Sequence, residues 1–198
     1  MKATEIVAEI ALMLGFDLPP LSPEETDHSP GLRERIMIEI EKCACEAISQ
    51  TPRSRLTGWR LLPTEGLTSV GEGAYLLPLP SDFLLLHSVS MSDWETEATE
   101  VIDHDHWLAH AQRGGIPALK ATPRCPLAAH ALTEDGQPAL LLYGSREETA
   151  TASGWYMPRP EIDSDGEIFI PPASSGIFKE LMSREIGRAH DIFHTGCS

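Results

Sequence analysis

Residues 103–110 read Asp-His-Asp-His-Trp-Leu-Ala-His, a run that sets three imidazoles and two carboxylates within eight positions. If the segment is helical from Asp105 onward, His106 and His110 stand four apart on one face. Two imidazoles so placed hold zinc, and Asp103 or His104 would add a third ligand. A small metal-dependent hydrolase using His104, His106, His110 and an Asp is the chemistry this spacing offers. Against it, no Glu follows His106, so the general base of a His-Glu-x-x-His element is missing, and no second ligand pair is set by spacing. The plainer reading is a polar loop capping a surface helix, with Asp103 or Asp105 as the N-cap. We assign no catalytic residue, metal or cofactor, and keep His104, His106 and His110 as metal candidates only.

Other sets are weaker. His190 and His194 are also four apart, with Cys197 three further on, but terminal residues fray and lack outer partners to orient ligands. "EIDSDGE" places Asp163, Asp165, Gly166 and Glu167 like the start of a calcium loop without the rest of the EF-hand spacing, so an acidic turn is expected. Cys43 and Cys45 are two apart, roughly 200° around a helix, and cannot grip one ion together. "GEGAY" lacks the Lys-Ser/Thr of a phosphate loop and leads into a strand. No Gly-x-Ser-x-Gly element is present.

The elements that must position any of these follow from length, charge and pattern. A chain of 198 residues buries roughly 70% of its unfolded surface, enough for a real core without staples. The four cysteines, Cys43, Cys45, Cys125 and Cys197, do not form a disulfide framework and read as reduced thiols of an intracellular product. "MKATEIVAEIALMLGF" is interrupted by Glu5 and Glu9 and reads as an amphipathic helix rather than a signal peptide. No run approaches the roughly 20 apolar residues of a membrane span. Thirty acidic residues against fifteen Lys plus Arg give a net charge of −15, which opposes tight binding to a phosphate backbone. An acidic wall beside DNA remains compatible with it.

Ile6, Ile10, Met13 and Leu14 recur at helical spacing up to a capping Gly15. A proline-punctuated linker follows, and Ser29-Pro30 opens a second helix over about Leu32–Ser49, with Ile36, Ile40, Cys43, Ala47 and Ile48 on one face. Trp59, Leu61 and Leu62, in a turn-rich passage, are expected to pack back on the helices. "GAYLLPLPSDFLLLHSV" reads as a buried strand, except that Pro78 and Pro80 remove two donors from the same lateral side. The strand must lie at a sheet edge or leave its sheet there. "FLLLHSVSM" resumes with Phe83, Leu85, His87, Val89 and Met91 on one face. Two strands flank a turn at Asp135-Gly136, a further strand covers Gly154–Met157, and a last helix begins at Ser174 or Ser175 with Ile177, Leu181, Ile186 and Ile192 as its stripe.

The fold expected is α+β: N-terminal helices and a C-terminal helix packed together as a bundle, with an antiparallel β-sheet inserted between them. Residues 1–62 and 172–198 form the helical part. Residues 63–171 form the β part, with a short helix near 105–112, in one composite domain.

The order of these pieces, from the Trp59 turn through "YLLPLPSDFLLLHSV", "PLAAHAL", "PALLLYG", "WYMPRPEID" and "IFIPP" to "GIFKELMSREIGRAHDIF", resembles phage head–tail connector adaptors. These are the podovirus proteins of the tail tubular protein A type and the ring proteins of gut phages. The resemblance spans about Leu32 to Phe193, and Leu-Pro-Ser-Asp-Phe is its most specific part. It implies a structural virion protein, not an enzyme, made in the host cytoplasm and placed in the virion neck. Its partners would be copies of itself in a ring, a dodecamer matching the portal, together with the portal protein and a tail tube or nozzle protein. DNA would pass through the lumen without specific binding, and no membrane is involved. The residues the resemblance carries over are structural: Tyr75, Pro80, Asp82 and Phe83 at a strand-to-strand corner, Trp155, Tyr156 and Pro160 at a late strand, and Pro171 before the last helix. Pro78 joins them as a corner candidate. The histidine-rich middle and the long proline linker depart from the pattern, and segment 19–30 with the last residues is expected to rearrange on docking. A β-rich tail or baseplate component is the remaining structural alternative.

Overall fold

The computed structural model describes residues 2–13, 30–114 and 116–195. Gly15, Ser29, most of the proline linker, Gly115 and Cys197 lie outside the described residues, as do the side chains of His190, Ile192 and His194. The described elements are, in order, α1 (Ala3–Met13), α2 (Pro30–Gln50), β1 (Arg60–Leu61), β2 (Thr68–Gly71), β3 (Ala74–Pro78), β4 (Phe83–Met91), β5 (Val101–Ile102), α3 (Trp107–Arg113), β6 (Leu127–Leu132), β7 (Pro138–Tyr143), β8 (Ala152–Pro158) and α4 (Ser175–Thr195), with three short 3-10 turns between them.

The expected helical bundle with an inserted sheet is not what forms. Among the described residues the fold is mixed α/β: four helices accompany two sheets, of three strands (order β1-β8-β4) and five strands (order β2-β3-β7-β6-β5). Two strands, β1 and β5, are only two residues long, below the length at which alternation is legible. The five-stranded sheet is not wholly antiparallel either, since β5 runs parallel to β6. The chain divides into two compact units, residues 59–158 and the remainder, 1–58 with 159–198. Residues 159–171 therefore belong with the helices and not with the sheets.

In the first unit, apolar spacing of three and four residues along each helix gives a stripe that needs cover. Ile6 and Ile10 of α1, Ile40, Cys43, Ala44 and Ala47 of α2, and Phe178, Leu181 and Met182 of α4 bury one another, together with Ile168 and Ile170. The last two belong to an extended pair closed by the bridge Ile162↔Ile168. Between α2 and α4, Thr51 Oγ1 lies 2.7 Å from the Ala47 carbonyl and 3.0 Å from Ser174 Oγ. Two buried hydroxyls are thus satisfied where the helices come together. Pro171 is fully buried beside this junction in sequence, and Pro160 is also buried.

In the second unit the two sheets share a core. Tyr75, Leu77, Leu140, Leu142 and Ala128 from the larger sheet meet Leu86, Val89, Met91 and Tyr156 from the smaller, and Leu62 joins them. Leu62 thus packs among the strands rather than on the helices, while Leu61 is exposed. Period-two alternation sends Ala74, Ala129 and Tyr143 to the outer side of the larger sheet, where Ala109 of α3 covers them. Three alanines in that small cluster of four let the helix approach closely.

The two prolines find the geometry their missing donors demand. β3 pairs with β2 only as far as Thr68↔Leu76, but with β7 through Pro78↔Ala139. Leu79 N donates to the Pro138 carbonyl at 2.9 Å, so odd-numbered residues point their amides toward β7. Pro78 and Pro80 face the other side, beyond the start of β2, where no ladder bond is lost. The strand is therefore internal at residues 74–76 and becomes an edge at the first proline. β4 departs from the expected alternation as well: register shifts between Phe83 and Leu85 and between Leu86 and Ser88 change the phase. Leu86 is buried and His87 is exposed, while Val89 and Met91 still face the core.

Candidate functional site

The best-organised polar constellation is the corner that leads from β3 to β4. Phe83 N donates to the Pro80 carbonyl at 3.0 Å, closing a four-residue turn. Pro80 stands at its first position, and Ser81 and Asp82 make the bend. At the tip Asp82 accepts two bonds with separate oxygens, from Tyr156 Oη at 3.0 Å and from Arg60 at 3.2 Å. The Phe83 ring lies over the Tyr156 ring, centroids 5.9 Å apart and 13° from parallel. Burial, followed by the bond to Asp82, raises the Tyr156 hydroxyl above its ordinary pKa. The corner thus ties β1, the β3–β4 turn and β8 together, and its hydroxyl stays protonated as a donor.

Of the nine corner and interface candidates, Asp82, Phe83, Pro80 and Tyr156 converge there. Pro78 lies nearby along the chain and meets the turn before β2: a Cβ on Gly66 would stand 3.4 Å from its ring. Tyr75 does different work. Its hydroxyl donates to the Glu147 carbonyl at 2.6 Å and accepts from Ala150 N at 3.2 Å, pinning the β7–β8 connection. Trp155 alternates with Tyr156 and so faces outward, opposite Leu61 in the β1–β8 register. Pro160 and Pro171 lie in the other unit.

Sequence reasoning missed three participants. Arg60 reaches Asp82 across twenty-two residues. Asp93 Oδ2 accepts from Ser145 Oγ at 3.1 Å and from the amides of Arg146 and Glu147, fixing the same connection that Tyr75 pins. Gln112 holds α3 to the following segment, donating to the carbonyls of Leu108 and Leu119 and accepting from Ala121 N. None carries a local signal, because each partner is chosen by the fold.

The histidine segment builds a short helix that one of its own histidines caps. The helix spans Trp107–Arg113, and its N-cap is His106, not Asp103 or Asp105: Nδ1 accepts from Leu108 N at 3.3 Å. The His106 side chain is thereby turned onto its own helix, while His104 and His110 are exposed. Among the described residues no three His, Cys, Asp or Glu side chains converge as a metal site would require. In "EIDSDGE" the Asp163 carboxylate accepts from the amides of Asp165 and Glu167 at 2.9 and 2.8 Å, bonds that build an acidic turn from its own side chain. Cys43 is buried, and that burial pushes its thiol up to about 11, so it persists as an unreactive thiol.

No protein-family model matches the chain, and no curated protein matches it. Among the described residues no helix is long and apolar enough to cross a membrane.

Proposed function

We propose that this protein is a structural subunit of a phage neck, a head–tail connector adaptor that forms a ring between portal and tail and acts by assembly. The observation that carries the reading is the Leu-Pro-Ser-Asp-Phe segment, where the sequence resemblance is most specific. It is built as a braced corner, with Asp82 holding Arg60 and Tyr156 and with prolines ending one strand and opening the turn. Such an arrangement spends its polar groups on shape. An adaptor needs this, because neighbours in a ring recognise surfaces held in fixed relation.

In this reading the partners are further copies of the chain in a dodecamer, the portal protein above, a tail tube or nozzle protein below, and DNA crossing the lumen. A net charge of −15 suits a wall that lets a polyanion slide past. The test is to mix the purified chain with portal rings and measure masses natively, with electron microscopy of the product. A ring of this chain seated on the portal is the expected result. A chain that stays monomeric and ignores portal rings refutes the reading, and a lumen lined by Lys and Arg refutes its electrostatic part.

A further inference from the structure

The chain has no asparagine, and its two Asp-Gly pairs, Asp135-Gly136 and Asp165-Gly166, sit in two turns of the same construction. Residues 133–137 join β6 to β7, and residues 163–167 join the extended pair closed by Ile162↔Ile168. In each turn the first amide donates to the fifth carbonyl, Thr133 N to Gln137 O at 2.8 Å and Asp163 N to Glu167 O at 2.9 Å. In each, the glycine amide donates to the first carbonyl at 3.0 Å. A side-chain oxygen of the first residue then accepts from the fifth amide, Thr133 Oγ1 at 3.0 Å and Asp163 Oδ1 at 2.8 Å. Gly136 and Gly166 take φ of 79° and 74°, and both aspartates are exposed. The turns differ in what else holds the Asp-Gly peptide. Asp165 N donates to Asp163 Oδ1 at 2.9 Å, and the Gly166 carbonyl accepts from Ala3 N at 2.8 Å, beside the bridge Lys2↔Glu167. Among the described residues nothing bonds the equivalent groups, Asp135 N and the Gly136 carbonyl.

We propose that Asp135 is a site of spontaneous backbone isomerisation, and that the bracing of the second turn protects Asp165 from the same reaction. The Gly136 nitrogen attacks the side-chain carboxyl carbon of Asp135. The new C–N bond closes a succinimide ring, and the carboxyl oxygen leaves as water with its own proton and the amide proton. Water then reopens the ring. Cleavage at the side-chain carbon restores aspartate, and cleavage at the backbone carbonyl carbon leaves isoaspartate, whose chain runs through the former side chain. One water leaves and one returns, and nothing is oxidised or reduced. Glycine permits the closure because it brings no side chain into the way and rotates freely. To react, the peptide between Asp and Gly must turn out of its native setting. In the first turn this releases the bond from Gly136 N to the Thr133 carbonyl. In the second it also works against the bonds at Asp165 N and the Gly166 carbonyl. Two further hydrogen bonds of ordinary strength slow such an opening by on the order of tenfold. The product lengthens the backbone of the loop that sets Leu132 opposite Pro138, between two internal strands of the larger sheet.

The experiment incubates the full chain for weeks at neutral pH and physiological temperature, folded and in urea, and maps its peptides by chromatography, which separates aspartate from isoaspartate at equal mass. Methyl transfer by an isoaspartyl-specific methyltransferase identifies the product. In the folded chain isoaspartate at residue 135 is expected to exceed that at residue 165 by on the order of tenfold, and in urea the two are expected to form at comparable rates. Thr133→Asp, which gives the first turn the carboxylate of the second, is expected to slow isomerisation of Asp135 several-fold. Asp163→Ala is expected to speed that of Asp165. Circular dichroism checks the fold of each variant, and Thr133→Asp decides the matter if Asp163→Ala does not fold. Equal yields at the two sites in the folded chain, or none at residue 135, overturn the proposal. So do a preference that persists in urea and a folded Thr133→Asp chain that isomerises like wild type.

Discussion

Replacing Tyr75 by Phe removes one oxygen and leaves the ring in place, which makes it a clean probe of how the β7–β8 connection is held. Two backbone groups lose their partner. The Glu147 carbonyl loses its donor, since the one proton of Ser145 Oγ, 3.2 Å away, is already given to Asp93 Oδ2 at 3.1 Å. Ala150 N, in a residue that is itself buried, is left with no acceptor. A buried donor without a partner costs about 1–3 kcal/mol, and apolar packing is unchanged, so we expect a loss of about 2 kcal/mol from the strand-rich unit. For a unit of this size that lowers its melting midpoint by on the order of 10 °C. Calorimetry resolves the transition, and hydrogen exchange read at Ala150 reports the specific amide. A midpoint within about a degree of wild type, with Ala150 exchange unchanged, refutes the assignment of this hydroxyl as the pin.

Gly73→Ala is expected to be worse than Gly136→Ala in chemical denaturation. Both have positive φ, but a Cβ on Gly73 collides with the Ser145 carbonyl oxygen, whereas the space around Gly136 is open. The second should cost about 1 kcal/mol from backbone strain alone and the first distinctly more; equal costs contradict the close approach. Stability is expected to fall between about pH 9 and 11. Burial raises the Cys43 thiol to about 11, and Cys45 and the Tyr156 hydroxyl also shift upward. The folded chain therefore keeps protons that the unfolded chain releases near the ordinary thiol pKa, and rising pH favours unfolding. Cys43→Ala should flatten that slope, measured by denaturant midpoints at successive pH values, and an unchanged slope counts against burial as the cause. At pH 8 a thiol reagent should label exposed Cys125 and spare Cys43.

Local physics was legible where one element decides for itself. The α2 stripe through Ile40, Cys43 and Ala47 is buried as its spacing requires. The β6–β7 hairpin closes at Asp135-Gly136, with Leu132 opposite Pro138 and Gly136 at φ 79°, because a tight turn between two apolar runs needs a residue free to take that angle. The paired prolines announced a strand with one side unbonded, and the ladder stops on that side at Leu76. The bulges in β4 were not legible, since an extra residue in one strand is defined only by the strand opposite. The spacing favours Asp103 or Asp105 as the helix cap because Asp is a commoner cap than His, and His106 takes the role because the helix begins at Trp107.

By itself, then, the sequence determined the strong helices, the hairpin, the proline-limited strand and the acidic turn at Asp163. Each is set by interactions within a few residues, whose geometry the chain cannot escape. Tertiary structure alone decided that two sheets rather than one would form, that β5 would run parallel to β6, and that Arg60 and Tyr156 would share Asp82. It also decided that Trp155 and Trp107 would face outward on opposite sides of one sandwich. Those outcomes depend on which distant segments become neighbours, and a pairing energy spread over residues 22 to 74 positions apart leaves no mark in any short window of sequence.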